Sequence, residues 1–387
     1  MTDIRPARWT RGHLDRFVDD PATTAPTITS APRALPHHDI WDAWPIQEED
    51  GSVCAADGAE LWMALAAPAV GHPEERHDRA RIRLLARNGG RWRDLGDAFA
   101  DGASPGSREW SGSAVRRPDG TVSVFYTGAG VRGETVPTFH QRVVVAQPRL
   151  TVADGNVRLE RDTEHRVVLH GKDPYLPADE VVGGPGRIRA FRDPGWFRDP
   201  ADGREYLLIA ASVPWDGGFT GAVALADITT APWNLLPPLL VSEGINHEIE
   251  RPHVVVHDGR YHLFFCTSRR AFHPADGAPT GLYGFVAPAL TGPYEPLNGS
   301  GLVIRNPPAQ PDQAYAWLVL PDLSVESFVN YPVADSHDPH LARPETARAQ
   351  FGGTAAPVLR LGLQGTGSVL SGRTRDERRP ELDSGSG

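Results

Sequence analysis

The chain has 387 residues, of which 40% are hydrophobic, so it is long enough to bury at least one large core. Its 49 acidic residues outnumber its 39 basic residues and give a formal net charge of −10. Because this charge repels phosphate groups, it argues against nucleic acids and membranes as partners, whereas a neutral ligand such as a sugar is compatible with it.

The N-terminal segment has no apolar stretch of the kind that conventional signal peptides contain. No run of the sequence reaches the roughly 18 apolar residues that a membrane-spanning helix requires. Residues 1–30 are interpreted as an N-terminal extension, in which residues 10–18 are predicted to form a short helix. Residues 31–370 are predicted to form one domain. The charged segment 371–387, which ends in Ser-Gly-Ser-Gly, is predicted to be a disordered tail.

Most of the domain consists of short apolar segments between turns, which indicates an all-β fold. Four Asp-Gly pairs precede alternating apolar runs, and Asp-Gly favours the two-residue type I′ hairpin turn. These pairs are Asp57-Gly58, Asp119-Gly120, Asp202-Gly203 and Asp258-Gly259, with a degenerate fifth copy at Asp322-Leu323. Hairpins that recur at roughly 60 residues are typical of propeller blades, so we predict a five-bladed β-propeller. A β-sandwich with coincidental Asp-Gly turns is the alternative.

A polar or acidic motif precedes each of the first four turns. In chain order these motifs are WDAWP, EWSGSA, FRDPGW and HEIERP. Carboxylates buried at equivalent places in successive blades would cost the fold free energy unless they faced a wet cavity. We therefore expect the motifs to converge on a central, negatively charged pocket.

The motifs HDIWDAWP, EWSGSA, RDP and EIERP, in this order, resemble the signature of the levansucrase family of glycoside hydrolases, family 68. The resemblance extends from His38 to Phe328. This family includes levansucrases, inulosucrases and bacterial β-fructofuranosidases on a five-bladed propeller. The resemblance implies a retaining enzyme that cleaves sucrose through a covalent fructosyl-enzyme intermediate. It would pass fructose to water, to sugars or to a growing fructan, and it would need no cofactor.

Three catalytic carboxylates follow from the resemblance. Asp42 matches the nucleophile, Glu250 the acid/base, and Asp193 the residue that stabilises the transition state. Asp39 is the nearest rival of Asp42. Because neighbouring carboxylates disfavour double ionisation, we expect the pair Glu248 and Glu250 to keep one proton to higher pH, as a general acid must.

Seven residues are implied to bind the substrate, with Arg251 and Arg269 on the glucose side. Indoles offer a flat apolar face to a sugar ring, and guanidinium groups donate to its hydroxyls. Strand alternation would point Arg192 and Asp193 to opposite faces, so both can serve one pocket only if the strand ends or bulges at Pro194. The seven residues are Trp41, Trp110, Ser111, Arg192, Glu248, Arg251 and Arg269.

No metal site is predicted. Many members of the family hold calcium with an Asp at the position of His247, and an imidazole is a poor ligand for this hard cation. The only cysteines are Cys54 and Cys266, too few for a disulfide framework. We expect two buried free thiols, with pairing as the alternative if they are adjacent in space.

Other interpretations stay open at this point. An invertase-type or arabinan-cleaving enzyme also uses two Asp and one Glu, but the invertase type carries Asn-Asp-Pro and Glu-Cys motifs, which this sequence lacks. A non-catalytic sugar-binding propeller would not need three buried carboxylates. Within the family, a β-fructofuranosidase that mainly hydrolyses sucrose or makes short oligosaccharides is the alternative to a polymerising enzyme. The family implies an extracellular location, whereas the missing signal peptide leaves a cytoplasmic one open.

Overall fold

The computed structural model describes residues 4–153, 156–183, 187–332 and 341–371, so nearly all of the predicted tail lies outside the described residues. The predicted all-β class is confirmed, because helices are few and short. The described helices are α1 (Arg11–Leu14), inside the predicted helical segment, α2 (Pro344–Gln350), and 3-10 helices at Pro21–Thr23, Pro73–Arg79 and Arg269–Ala271. No helix in the described ranges is both long and apolar enough to cross a membrane.

The described strands form five consecutive, mainly antiparallel units, here numbered 1 to 5, and a short strand, β1 (Ala7–Arg8), precedes them. Unit 1 comprises β2 (His38–Gln47), β3 (Ala55–Ala56), β4 (Ala59–Pro68), β5 (Arg81–Asn88) and β6 (Arg91–Asp97). Unit 2 comprises β7 (Arg108–Arg116), β8 (Val122–Ala129), β9 (Phe139–Ala146), the separate hairpin of β10 (Leu150–Ala153) and β11 (Asn156–Leu159), then β12 (His165–Leu169) and β13 (Asp179–Glu180).

Units 3 to 5 repeat this plan. Unit 3 comprises β14 (Phe191–Arg198), β15 (Glu205–Trp215), β16 (Gly218–Asp227) and β17 (Asn234–Val241). Unit 4 comprises β18 (Glu250–His257), β19 (Arg260–Thr267), β20 (Gly281–Ala287), β21 (Glu295–Pro296) and β22 (Leu302–Arg305). Unit 5 comprises β23 (Ala314–Val319), β24 (Ser324–Val329), β25 (Thr354–Ala355), β26 (Leu359–Gln364) and β27 (Gly367–Leu370).

The first strands of the five units lie next to one another. They contact each other in the order β2, β7, β14, β18 and β23, and β23 contacts β2 in turn. The strands β2 and β7 also pair in parallel where Ile46 faces Ala114. Motifs on these five strands are therefore brought together although they are far apart in the sequence.

Each first strand has a break in its pairing register at a corresponding place. A bulge of this kind lets two consecutive side chains leave the strand on the same side, which strict alternation forbids. The bulge predicted at Pro194 is therefore confirmed. The breaks lie between Trp41 and Trp44, Trp110 and Gly112, Arg192 and Gly195, Glu250 and His253, and Tyr315 and Leu318.

The four Asp-Gly pairs all lie in turns between strands, but the predicted turn type is right at only two of them. A type I′ turn needs positive φ at both residues. Asp57-Gly58 has φ of 51° and 71°, and Asp258-Gly259 has φ of 49° and 71°. At Asp119-Gly120 and Asp202-Gly203 only the glycine has positive φ, because these pairs lie in longer connections that do not need the two-residue turn.

The N-terminal extension packs against units 3 and 4. Strand β1 adds to the edge of unit 3 by pairing in parallel with β17. Trp9 is fully buried and contacts the rings of Phe265, Phe272 and Tyr283 of unit 4 and its flanking loop. Burying an indole in this way contributes about 2–3 kcal/mol, so the extension is part of the fold.

The two cysteines are not paired with each other. Cys54 and Cys266 are both buried and both free. Cys54 packs in the core cluster of unit 1 and its neighbours, and Cys266 packs between units 4 and 5. The prediction of two buried free thiols is confirmed.

Candidate active site

The bulges of the first strands line one cavity of about 660 Å³. Its wall contains the three predicted catalytic carboxylates, Asp42, Asp193 and Glu250. The bulges thus bring together side chains from units 1, 3 and 4. Six of the seven predicted substrate-binding residues also line this cavity: Trp41, Trp110, Ser111, Arg192, Glu248 and Arg251.

Asp42 lies at the bulge of β2 with a left-handed backbone, φ 46°. Its carboxylate is partly exposed to the cavity, and no ion pair joins it to a cation among the described residues. Burial raises the pKa of Asp42 to about 7, with Arg251 opposing the rise and the charges of Asp193 and Glu250 reinforcing it. A carboxylate in this setting is short of compensating charge until a ligand arrives.

Asp193 lies at the bulge of β14 with φ 55° and is 7% exposed. Its Oδ2 accepts a hydrogen bond from the backbone N–H of Arg251 at 3.2 Å. Burial raises the pKa of Asp193 to about 6, although the nearby Arg192 opposes this rise. Two carboxylates with raised pKa values therefore face the same cavity.

Glu250 opens β18 and occupies a different place in its bulge from Asp42 and Asp193. When the two bulges are aligned, Glu250 occupies the position of Arg192, which is one residue before that of Asp193. The number of residues between a carboxylate and the following turn therefore does not identify equivalent positions in different units. Arg192 donates through one nitrogen to Oε2 of Glu248 at 3.3 Å and to Oε1 of Glu250 at 3.1 Å. The hydroxyl of Tyr315 donates to the other oxygen of Glu250.

The expected repulsion between Glu248 and Glu250 is not what the geometry shows. A guanidinium cation lies between the two carboxylates and attracts both, so their mutual repulsion is offset. That one of the two carboxyls keeps its proton to higher pH stays a prediction. Among the three predicted catalytic carboxyls, burial raises the pKa values of Asp42 and Asp193.

The side of the cavity formed by units 1 and 2 is aromatic. The ring of Trp41 lies 5.3 Å from the guanidinium carbon of Arg76 and meets His77 edge to face. Trp110 donates from its indole nitrogen to the backbone oxygen of His77 at 3.0 Å. The hydroxyl of Ser111 is buried and has no hydrogen-bond partner among the described residues. Its free hydroxyl is available to a neighbouring carboxylate or to a ligand.

The sequence profile of the family described as Levansucrase/Invertase matches residues 1–232 and 215–376. This chain is a member of that family. The levansucrase of Rahnella aquatilis is 32% identical, with 96% of each chain covered. The levansucrase of Zymomonas mobilis is 33% identical over 95% of this chain and 90% of that one.

A solved structure gives the same answer. The inulosucrase from Halalkalicoccus jeotgali, bound to kestose, is 38% identical and superposes with a TM-score of 0.89, covering 95% of this chain and 96% of that one. The predicted family and enzyme class are therefore confirmed: this levansucrase/invertase family member is a fructosyltransferase-type glycoside hydrolase. The competing interpretation, a non-catalytic sugar-binding protein, is therefore not supported.

Arg269 is the one predicted site residue that the structure places outside the cavity wall. Its guanidinium forms ion pairs with Asp276 and, at 3.2 Å, with Asp312. The next residue, Arg270, lines the cavity instead. The two arginines lie in a 3-10 helix, in which successive side chains point about 120° apart, so a shift of one position changes the direction completely.

Arg251 lines the cavity, but its guanidinium contacts the backbone. It donates to the backbone oxygen of Ala43 at 2.6 Å and to that of Ala316. These carbonyls lie at the bulges of β2 and β23. Arg251 therefore joins its own unit to three others, because its backbone N–H also donates to Asp193.

Sequence reasoning missed most of the cavity wall that comes from connections between strands. The 3-10 helix Pro73–Arg79 supplies Arg76, His77 and two carboxylates, and unit 5 supplies Tyr315. The family resemblance, which extends to Phe328, includes Tyr315, but none of the four motifs does. A single sequence carries no periodic pattern that would place the residues of such a connection.

Asp39, the rival nucleophile, is directed away from the cavity. It is fully buried and forms ion pairs with Arg33 at 2.9 Å and with Arg348. It does not line the cavity that contains Asp42. Its contacts tie β2 to the segment that precedes it and to helix α2, which lies between β24 and β25.

His247 occupies the place of the calcium ligand in many family members. Its ring packs against Phe219 and His273, and its Nδ1 lies 3.3 Å from the backbone oxygen of Phe219. Among the residues with described positions, no three His, Cys, Asp or Glu side chains are grouped as a metal site would require. The expectation of no calcium at this position stays a prediction.

Proposed function

We propose that this enzyme cleaves sucrose by double displacement and passes the fructosyl unit to water, to sugars or to a growing fructan. The observation that carries the proposal is the convergence of Asp42, Asp193 and Glu250 on one cavity. The relatives named above are called levansucrases and an inulosucrase, and they match nearly the whole length of this chain. Sucrose is accordingly the proposed donor.

We propose further that the five units are the blades of a five-bladed β-propeller and that the cavity is its axial pocket. The closed series of contacts among the five first strands supports this arrangement. Among the described residues, seven carboxylates and four arginines line the cavity, which supports a net negative charge there. A neutral sugar can enter such a pocket without the repulsion that an anion would meet.

In the first step, Glu250 protonates the glucosyl oxygen while the carboxylate of Asp42 attacks the anomeric carbon of fructose. The bond between this carbon and the oxygen breaks, glucose leaves with the proton, and an ester joins fructose to Asp42. Asp193 accepts hydrogen bonds from fructose hydroxyls that strengthen as positive charge develops on the ring. Arg192 and Tyr315 orient the carboxyl group of Glu250 from its two oxygens.

In the second step, Glu250 acts as a base. It takes a proton from water or from an acceptor hydroxyl, whose oxygen attacks the anomeric carbon, and Asp42 is released as a carboxylate. The two inversions together retain the configuration. A retaining pair requires carboxyl groups roughly 5–5.5 Å apart when substrate is bound, against about 6.5–9.5 Å for an inverting pair.

The test separates proton transfer from sugar binding at the two neighbouring glutamates. Glu250→Gln should slow sucrose cleavage by about 10³-fold, because glucose leaves poorly without a proton. Fructosyl fluoride, whose fluoride leaves unprotonated, should still load the enzyme, and azide should then discharge it. Glu248→Gln is the matched control and should lose activity on both donors, because it holds Arg192 and the sugar. If only Glu248→Gln were rescued, the two roles would have to be exchanged.

The product distinguishes the polymerising enzyme from the hydrolytic alternative. Incubation with concentrated sucrose followed by linkage and size analysis should give fructan or fructooligosaccharides besides glucose. Free glucose and fructose in equal amounts at every sucrose concentration would instead assign the enzyme as a β-fructofuranosidase. The linkage found would also show whether the levansucrase or the inulosucrase relatives are the better guide.

A further inference from the structure

The bulge that displays Asp193 needs support from outside its own strand. Asp193 has φ 55°, a conformation that is unfavourable for residues with a side chain. It also leaves the regular pairing of β14 with β15, which resumes only at Gly195. Its backbone N–H must therefore find an acceptor elsewhere or remain unsatisfied in a buried place.

The acceptor is a hydroxyl of the neighbouring unit. Thr127, fully buried on β8, accepts a hydrogen bond from the N–H of Asp193 at 2.8 Å. The same hydroxyl donates to the backbone oxygen of Ser111 at 3.1 Å. Ser111 lies at the bulge of β7, the place that corresponds to Asp193 in unit 2. One hydroxyl thus links the bulges of two adjacent units.

A second hydroxyl holds the other end of the same bulge. Ser113, which is buried on β7, donates to the backbone oxygen of Pro194 at 2.7 Å and accepts from the N–H of Trp196 at 2.8 Å. Together Thr127 and Ser113 bind three backbone groups between Asp193 and Trp196. The first two belong to the irregular part of β14, and the N–H of Trp196 lies just beyond it, where the regular pairing with β15 has resumed.

We propose that Thr127 and Ser113 are positioning residues that fix the carboxylate of Asp193 for transition-state stabilisation, an inference that rests on the function proposed above for Asp193. Neither hydroxyl touches the substrate in this account. They act through the backbone of the bulge, and a displacement of about 1 Å at a catalytic group can cost about 10²-fold in rate. Among the described residues, the carboxylate of Asp193 accepts a hydrogen bond from the backbone N–H of Arg251 and lies 3.9 Å from a guanidinium nitrogen of Arg192.

The first experiment compares hydroxyl removal at the bulge with the same change elsewhere. Thr127→Val keeps the shape and removes the hydroxyl, whereas Thr127→Ser keeps the hydroxyl. Thr354→Val is a matched control, because buried Thr354 likewise accepts from a backbone N–H, that of Ala34 at 2.8 Å, and donates to a backbone oxygen, that of Pro32 at 3.0 Å. Thr354 does not line the cavity.

Thr127→Val should lower kcat and kcat/KM for sucrose together, by about 10- to 100-fold, as expected when an interaction of the transition state is weakened. Thr127→Ser should recover most of this loss. Thr354→Val should be destabilised to a similar extent with unchanged kcat. If Thr127→Val does not fold, Ser113→Ala provides the same comparison. Equal activities of Thr127→Val and Thr354→Val would overturn the inference.

The second experiment asks whether the effect passes through Asp193. In an Asp193→Asn background, assayed with fructosyl fluoride, Thr127→Val should cause little further loss, because the carboxylate that it positions is gone. The same fold-loss in both backgrounds would show a merely structural role and overturn the inference. If Asp193→Asn itself kept the activity of the parent enzyme, the role proposed for Asp193 would fail instead. The two failures are thereby distinguished.

Discussion

Strand β2 contains two aspartates, three residues apart, with opposite surroundings. Asp39 lies near the start of the strand, fully buried between Arg33 and Arg348. Asp42 lies at the bulge, partly exposed to the cavity, and it has no ion pair among the described residues. Its nearest charges include two other carboxylates, and its pKa is raised to about 7.

The difference shows that neighbours, rather than residue type, decide what a carboxylate does. Two arginines form ion pairs with the buried carboxylate of Asp39, which thereby joins β2 to the segment that precedes it and to helix α2. Burial and two neighbouring carboxylates oppose the charge of Asp42 more than Arg251 and Arg76 favour it, which costs stability and leaves this carboxylate facing the cavity. Four predictions test this contrast.

The largest effect is expected on catalysis. Asp42→Asn should reduce sucrose cleavage by about 10⁴-fold or more, because the amide cannot form the fructosyl ester. Asp39→Asn, the control three residues away, should keep activity within about tenfold. Initial rates of glucose release from sucrose measure both. A tenth of the parent activity in Asp42→Asn would place the nucleophile elsewhere and remove the contrast.

The second effect concerns the pH dependence of kcat/KM, which reports the ionisation of the free enzyme. Asp42 must be deprotonated to attack, and its pKa is raised to about 7, while that of Asp193 is raised to about 6. Because the charge of Asp193 contributes to the raised pKa of Asp42, the acid limb depends on both carboxyls. We expect kcat/KM to fall as the pH drops through the range of 6 to 7. An acid limb near pH 4, the ordinary value for Asp, would contradict the account of Asp42.

The third effect is on stability, with opposite signs at the two sites. The pKa of Asp42 is higher in the folded than in the unfolded chain, so ionisation destabilises the fold as the pH rises from about 4 to about 7. Asp42→Asn should therefore raise the free energy of unfolding at pH 8, on the order of 2 kcal/mol, and should not do so at pH 4. Asp39→Asn should lower it at pH 8 by about 1.5–3 kcal/mol, because two partly exposed arginines lose the buried carboxylate that they contact.

Urea unfolding of both variants and the parent enzyme at the two pH values measures these differences. A loss of stability in Asp42→Asn at pH 8 would mean that its charge is compensated in the native state. The contrast with Asp39 would then be wrong even if Asp42 is the nucleophile.

The smallest effect is expected from chelation. The contrast assumes that arginine side chains, and no metal ion, balance the buried carboxylates. A chelator should therefore leave the melting temperature within about 1 °C, because an ion that stabilises only the folded state would shift it by mass action. A large drop that calcium reverses would show that an ion binds near His247 or near the carboxylates.

The local sequence determined the strands and turns and the residues of the candidate site. Alternating apolar runs bounded by turn residues specify strands, because alternation is a property of the strand itself. The two-residue hairpin at Asp258-Gly259 followed in the same way from the φ preference of the pair. The four motifs were sufficient to predict the family. Nine of the ten predicted site residues line the cavity.

Only the tertiary structure decided which charged side chains contact one another and which of them line the cavity. Arg192 offsets the repulsion between Glu248 and Glu250, and it comes from a different unit, so no local pattern could reveal it. Arg270 rather than Arg269 enters the cavity wall, because a short 3-10 helix follows the strand where the motif was extrapolated.

The same holds for Asp39 and Asp42, which the sequence presents as near equals in one motif. Their environments are set by Arg33, Arg348 and the bulge of β2, which involve residues up to 309 positions away. Electrostatic energies depend on distance in space and on burial, and neither quantity can be calculated from separation along the chain. The sequence by itself therefore determined the strands, the motifs and the family, whereas packing decided which carboxylate is paired with arginines and which one faces the cavity.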